Sequence, residues 1–170
     1  MSWVEKTFVE LSLMELHGIL RLRQRVFVIE QRCVYLDLDE LDLQGHHLWL
    51  PRAAASAPTR PVPPPAAPVP PPLDHEPAAY LRILPPGAAY AEASLGRVIT
   101  APEVRGQGLG VTLLQEGLAR ARALYGPVPI RIGAQAHLEQ LYAALGFRRA
   151  SEDYVEDGIP HLEMLLPPPA

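Results

Sequence analysis

The sequence predicts an α/β domain built on one sheet of mixed direction, and three observations carry that reading. Ser12-Leu13-Met14-Glu15 has the pattern of a capping box, in which serine and glutamate satisfy each other's orphan N–H groups at a helix start. Short apolar runs bounded by Gly, Pro and Asp alternate with longer stripes at helical spacing. The glycine-rich run Arg105-Gly106-Gln107-Gly108-Leu109-Gly110 joins a β-like stretch to a helix-like one. Taken in order the elements are helix, strands, helix, strand, helix and hairpin, an arrangement that buries its apolar faces as helices packed on a sheet.

The first helix is predicted over residues 13–31, with Leu13, Leu16, Leu20 and Phe27 along one face. Residues 46–50 and 78–84 read as strands, and 92–100 as a third. Between the first two lies a Pro/Ala-rich insertion, residues 51–77, with clusters Pro63-Pro64-Pro65 and Pro70-Pro71-Pro72. Proline fixes φ and lacks the amide donor, so this stretch forms neither a helix interior nor a central strand. It is expected to be an exposed polyproline-like loop inside a single domain spanning residues 1–170. A second helix follows the glycine run, with Val111, Leu114, Leu118 and Ala121 at helical spacing as far as Leu124, and Gly126-Pro127 stops it. Residues 128–134 form a strand and 136–145 a third helix, with Leu138, Leu141 and Leu145 on its stripe and Gly146 placed for a left-handed cap. The chain ends in a hairpin of 147–155 and 159–166 turned by Asp157-Gly158, with 167–170 frayed.

Composition narrows the function. A chain of 170 residues suits one domain with a genuine core. The net charge of −4, with Lys6 the only lysine and no Lys/Arg block, argues against a nucleic-acid partner. Cys33 is the only cysteine, so no intrachain disulfide forms. The N-terminus carries Glu5 and Glu10 rather than the basic flank and apolar core of a secretion signal, and no apolar run approaches the ~20 residues needed to span a bilayer. These features read as a soluble cytoplasmic protein, monomer or homodimer, with no membrane partner.

The glycine run reads as a pyrophosphate cradle. A helix begins with unpaired N–H groups and a partial positive charge, so phosphate oxygens are stabilised there without lysines. Glycines 106, 108 and 110 remove the β-carbons that would hold a diphosphate away from the backbone. A Walker loop would need Lys and then Ser or Thr after its last glycine, and Val111 and Thr112 stand there instead. A dinucleotide fingerprint would need Gly at 111, directly after a strand, with an acidic residue about 20 positions on; this chain has Val111, a gap after Thr100, and Arg120 and Arg122.

What remains is Arg-x-x-Gly-x-Gly after the strand Leu95-Gly96-Arg97-Val98-Ile99-Thr100, which resembles the acyl-CoA loop of the GNAT superfamily of N-acetyltransferases. Further segments match in order and spacing: residues 22–31, Tyr80-Leu81-Arg82-Ile83-Leu84, Gly96-Arg97-Val98, Gly133-Ala134-Gln135-Ala136-His137, residues 142–147, and Asp157-Gly158-Ile159-Pro160-His161. Together they are similar to the ElaA group of that superfamily, over about residues 3–165 apart from the proline insertion. The resemblance implies a GNAT fold, a mixed central sheet whose fourth and fifth strands splay so that pantetheine lies in the gap. Main-chain groups of Val98, Ile99 and Thr100 would bond the pantetheine of acetyl-CoA, and the N–H groups of Gly106, Gln107, Gly108, Leu109 and Gly110 its pyrophosphate, with Arg105 beside the phosphates.

Acetyl transfer from a thioester to an amine needs a neutral amine, a stabilised oxyanion and a proton for the departing thiolate. Tyr142 matches the family's tyrosine that protonates the thiolate, against a purely packing role. A strand amide at Ile99 or a neighbour is the expected oxyanion donor. Glu30, His137 and His161 are the candidate bases, and the alternative is loss of the amine's proton to water with no dedicated base. His46-His47 with His161 does not make a metal site, because adjacent strand residues face opposite sides and no further ligand completes the set. Cys33 lacks a context that would activate it, so direct attack by the amine is expected, with no acyl-enzyme. The acidic run Asp37, Asp39, Glu40 and Asp42 is placed to attract a cationic amine or to serve as a solvated loop. The competing function is a noncatalytic acyl-CoA binder, or an interaction module using the proline-rich loop.

Overall fold

A computed structural model describes residues 2–55, 61–62, 64–65 and 67–169. Among the described residues eight strands form one sheet: β1 (Val4–Thr7), β2 (His46–Pro51), β3 (Pro77–Leu84), β4 (Ala93–Thr100), β5 (Ile130–Gln135), β6 (Arg148–Arg149), β7 (Tyr154–Glu156) and β8 (Ile159–Leu166). Their order is β1-β2-β3-β4-β5-β8-β6, with β7 also on β8, and among the described residues only the β4–β5 pair is parallel. Helices α1 (Leu13–Arg23), α2 (Leu109–Tyr125) and α3 (Glu139–Ala144) complete the mixed α/β architecture.

Strand β1 was not expected. It is four half-buried residues at the sheet edge, paired Val4↔Trp49 to Thr7↔His46, and such a strand exists only through its partner. Helix α1 begins at the predicted cap, with Ser12 Oγ accepting from Glu15 N–H at 3.2 Å and Glu15 accepting from Ser12 N–H at 2.8 Å. It does not run as an α-helix to residue 31. From Gln24 to Glu30 it widens into π geometry, closed by Gln31 N–H on Val26 O at 2.9 Å. Arg23 at the end of α1 and Arg25 in the π segment are both buried, each against its own carboxylates.

The buried stripe of α2 is Leu109, Leu113, Leu114, Gly117, Leu118 and Ala121, while Val111 faces solvent; the helix starts two residues earlier than its apolar spacing indicated. Gly117 lets β3 come close, since a β-carbon there would lie 2.6 Å from Leu81 Cδ2. The expected strand 147–155 is broken into β6 and β7. Ser151 Oγ there takes Glu163 N–H at 2.8 Å, replacing a ladder carbonyl with a side chain. The Asp157-Gly158 turn stands as expected, with both residues at positive φ (50° and 79°).

The insertion joins β2 to β3, and its residues 56–60, 63 and 66 lie outside the described residues. Its final part is not a free loop. Arg25 Nε donates to Pro70 O at 2.8 Å, Arg21 donates to Pro71 O at 3.2 Å, and Ala67 is buried. Glu76, fully buried, accepts from both Arg21 and Arg25, and Arg25 also reaches Glu103 in the turn before the glycine run. Arg25→Met should therefore lower unfolding free energy by about 3 kcal/mol in urea titration, the low end for stripping a partner from a buried carboxylate because Arg21 still holds Glu76. A loss below about 1 kcal/mol would count against this clamp.

Candidate active site

Strands β4 and β5 pair only at Ala93↔Ile130 and Ser94↔Arg131. Beyond Ser94 they part. On its other side β4 stays bonded to β3 but takes a bulge, where Arg97 and Val98 face the single residue Leu81 and Arg97 has φ 54°. A cavity of about 420 Å³ occupies the gap, walled by Leu95 to Val98 of β4 and by Gly133 and Gln135 of β5. Ala101 N–H donates to Ala78 O at 2.8 Å, and strand alternation then turns the Ile99 groups toward β3 and those of Thr100 and Val98 toward the gap.

Past β4 comes the glycine run. Gly106 and Gly108 are left-handed (φ 77° each), and Gly108 caps α2 with no side-chain bond. Val111 and Thr112 donate to Gly108 O, whereas the N–H groups of Gly106, Gln107, Gly108, Leu109 and Gly110 have no acceptor among the described residues. A β-carbon at 108 would meet nothing within 4 Å. Free donors, a helix N-terminus and open space fit a diphosphate. Arg105, which precedes the run, is engaged by protein groups: its guanidinium grips the Glu30 carboxylate at 2.7 and 2.8 Å and the Thr100 carbonyl at 3.3 Å.

The cavity brings Tyr142 and His161 together with Val98 and Cys33, and neither Glu30 nor His137 lines it. Tyr142 is only 5 % exposed and packs edge-on against Phe147 at 5.7 Å. Its hydroxyl has no hydrogen-bond partner among the described residues, and burial pushes its pKa up to about 12. His161 sits opposite Gln135 on β5 and Tyr154 on β7, stacked on the latter at 5.9 Å. Its Nδ1 lies 2.8 Å from Ile159 O, so in the neutral ring Nδ1 carries the hydrogen and Nε2 is the basic nitrogen. Burial, followed by the charge of Asp157, raises the Cys33 thiol and keeps it un-ionised.

Three of the four acids after α1 do not meet solvent as free charge. Asp37 and Asp42 pair with Arg23 at 2.8 Å each, Asp37 and Asp39 pair with Arg97 at 2.9 and 3.2 Å, and Asp39 and Asp42 both hold Arg82. Burial opposes the ionisation of Asp42, yet Arg23 and Arg82 hold its carboxyl below the usual range. Only Glu40 of the four lacks an ion pair among the described residues, and it does not line the cavity. Two carboxylates that the sequence does not single out for their charge do line it, Glu156 and Asp157; the Asp157-Gly158 pair signals a hairpin turn and opens one of the matching segments, and neither signal bears on its carboxylate. Among the described residues no three His, Cys, Asp or Glu side chains gather as a metal site, and no helix is long and apolar enough to cross a membrane.

A family model described as an acetyltransferase (GNAT) domain matches residues 79–167, more than half of the chain and all of β4 through β8. Protein ElaA of Escherichia coli is 33 % identical over 163 residues, 96 % of this chain and 94 % of that protein, and a UPF0039 protein of Synechocystis is 34 % identical over 165 residues, 97 % and 94 %. Among solved structures, an acyl-CoA N-acyltransferase from Pseudomonas aeruginosa superposes with TM-score 0.79 at 37 % identity, covering 96 % of this chain and 97 % of that one. The crystal structure of E. coli ElaA gives 0.76 at 32 %, covering 97 % and 99 %. With the splayed parallel pair, the glycine run at the head of α2 and these relatives together, the chain belongs to the GNAT acetyltransferase family, in the company of the ElaA and UPF0039 proteins.

Proposed function

We propose that this protein is an acetyl-CoA-dependent N-acetyltransferase that acts on a primary amine by direct attack. The observation that carries this reading is the cavity between β4 and β5, which holds an unpartnered buried phenol and a histidine with a free basic nitrogen in one space. The pyrophosphate is held by the N–H groups from Gly106 to Gly110, and the pantetheine by the gap-facing main chain of Val98 and Thr100 beside Ile99. Of the strand amides expected to serve the oxyanion, Ile99 or a neighbour, Val98 is favoured, because its N–H faces the gap by alternation.

The amine nitrogen forms a bond to the thioester carbonyl carbon as the carbon–sulfur bond breaks. His161 Nε2 takes the proton that the nitrogen sheds, and the Tyr142 hydroxyl serves as the acid toward the departing sulfur. Of the three candidate bases, His161 is favoured because it lines the cavity, while Glu30 is engaged by Arg105 and His137 lies in the turn after β5. An un-ionised Cys33 supports attack without an acyl-enzyme.

The test is thiol release from acetyl-CoA across a panel of primary amines, with mass spectrometry of the protein after acetyl-CoA alone. The expected result is amine-dependent release with no acetylated protein. Saturable binding of acetyl-CoA without release on any amine would leave a noncatalytic acyl-CoA binder.

A further inference from the structure

We infer that the acceptor carries a second cationic group besides the amine that is acetylated, and that Glu156 and Asp157 at the β7–β8 turn receive it. This rests on the transferase reading and names the acceptor class for the same cavity. Every aspartate behind the β4 wall is matched to arginine: Arg23, Arg82 and Arg97 stand against Asp37, Asp39 and Asp42, a neutral set. Arg131, across the gap on β5, is likewise consumed by Glu92 and Glu163 at 2.8 Å each. What remains unbalanced on the cavity lining is Glu156 and Asp157, both exposed and both without an ion pair among the described residues.

Their charge reaches into the cavity. After burial, the leading cause, Asp157 helps raise the Cys33 thiol, and Glu156 helps raise the Tyr154 phenol and, with its neighbours, the Tyr90 phenol. Independently of these acids, the same cavity is lined by Tyr142, a residue 5 % exposed whose hydroxyl has no hydrogen-bond partner among the described residues, and the transferase reading sets the reacting end of the ligand there. The reacting amine must be neutral to attack, so a negative lining offers it nothing in the reactive form; the lining acts on a charge elsewhere in the molecule.

Strand geometry sets the separation. Tyr154 pairs with His161 and Glu156 with Ile159, so Glu156 is one two-residue repeat along the same face from the His161 position, about 7 Å. That is the span of a short alkyl chain with a cationic group at each end. The class is a small diamine or an amine of comparable length bearing a guanidinium.

The test compares cadaverine with n-pentylamine, which has the same chain and lacks the second charge. Calorimetry on the protein saturated with coenzyme A, and kcat/KM with acetyl-CoA, are both measured on wild type and on a Glu156→Gln/Asp157→Asn variant. Asparagine tolerates the positive φ at 157, so the turn is retained. Wild type is expected to prefer cadaverine by about tenfold, two partly exposed ion pairs' worth, with the preference falling to about twofold in the variant through KM and shrinking with added salt. Equal binding of the two amines to wild type, or a preference that survives the double substitution, overturns the inference. A charge-dependent binding preference that the double substitution removes, without turnover of either amine, upholds the cation site at Glu156 and Asp157 and leaves the transferase reading to the wider amine panel; turnover of both amines alike overturns the inference and keeps that reading.

Discussion

Replacing Tyr142 with phenylalanine is expected to lower kcat for thiol release about a hundredfold while moving the Kd for acetyl-CoA by less than about twofold. The two effects separate because the hydroxyl has no protein partner to lose, and the ring's edge-on packing against Phe147 survives the change. The size follows from acidity. Burial lifts the phenol to about 12, above an ordinary thiol at about 8.5, so complete proton transfer to the departing sulfur runs uphill by several kcal/mol. Donation of a hydrogen bond to the developing charge then supplies most of the effect, which places the loss at the lower end of the ~10²–10⁴ range for acid catalysis. The sign of the pH dependence is fixed as well. A raised phenol keeps its proton until pH climbs through about 12, so no alkaline limb assignable to Tyr142 is expected below about pH 10. A variant with wild-type kcat, or an alkaline limb near pH 8 that the substitution removes, would be incompatible with this role.

Local signals in the sequence correspond to local features of the fold. The capping box at Ser12 and Glu15, the left-handed cap at Gly146 and the Asp157-Gly158 turn each depend on residues within a few positions of one another, and each is present. That a helix leaves the glycine run is legible for the same reason, since glycines at 106 and 108 accept φ near 77°, but its first residue, Leu109, lies inside the run and not after it. What escaped reading depends on distant partners. Strand β1 exists through β2, the π turn after Arg23 accommodates arginines whose carboxylates lie 14 to 78 positions away, and β6 and β7 separate at Ser151 because Glu163 bonds its hydroxyl. At the site, the resemblance pointed to Tyr142 and His161, which the cavity brings together, and equally to Glu30 and His137, which it does not line. The acidic run after α1 misleads for a physical reason: charge read along a chain says nothing of the arginines that fold against it, so Asp37, Asp39 and Asp42 are spent and Glu156 and Asp157 are left.

A Gly108→Glu substitution should weaken acetyl-CoA binding by more than about a hundredfold in calorimetry, and comparison with Gly108→Ala and Gly108→Gln divides that loss into its causes. Position 108 has φ 77°, where any side chain costs about 1 kcal/mol, so Gly108→Ala should lower stability by that amount. A β-carbon there meets nothing within 4 Å in the protein, so the alanine adds no clash of its own beyond the backbone term. Glutamine fills the space at the head of α2 without charge, and its effect on binding measures obstruction of the diphosphate by bulk. Glutamate adds a negative charge within a few ångströms of two phosphates and also quenches the helix N-terminus that attracts them, an interaction of several kcal/mol in a partly shielded loop. The Glu variant should therefore bind at least about tenfold more weakly than the Gln variant at low ionic strength, and the difference should narrow as salt screens it. Equal affinity of the Glu and Gln variants would mean that no phosphate sits over Gly108, and wild-type affinity in all three would move the diphosphate away from the head of α2 altogether.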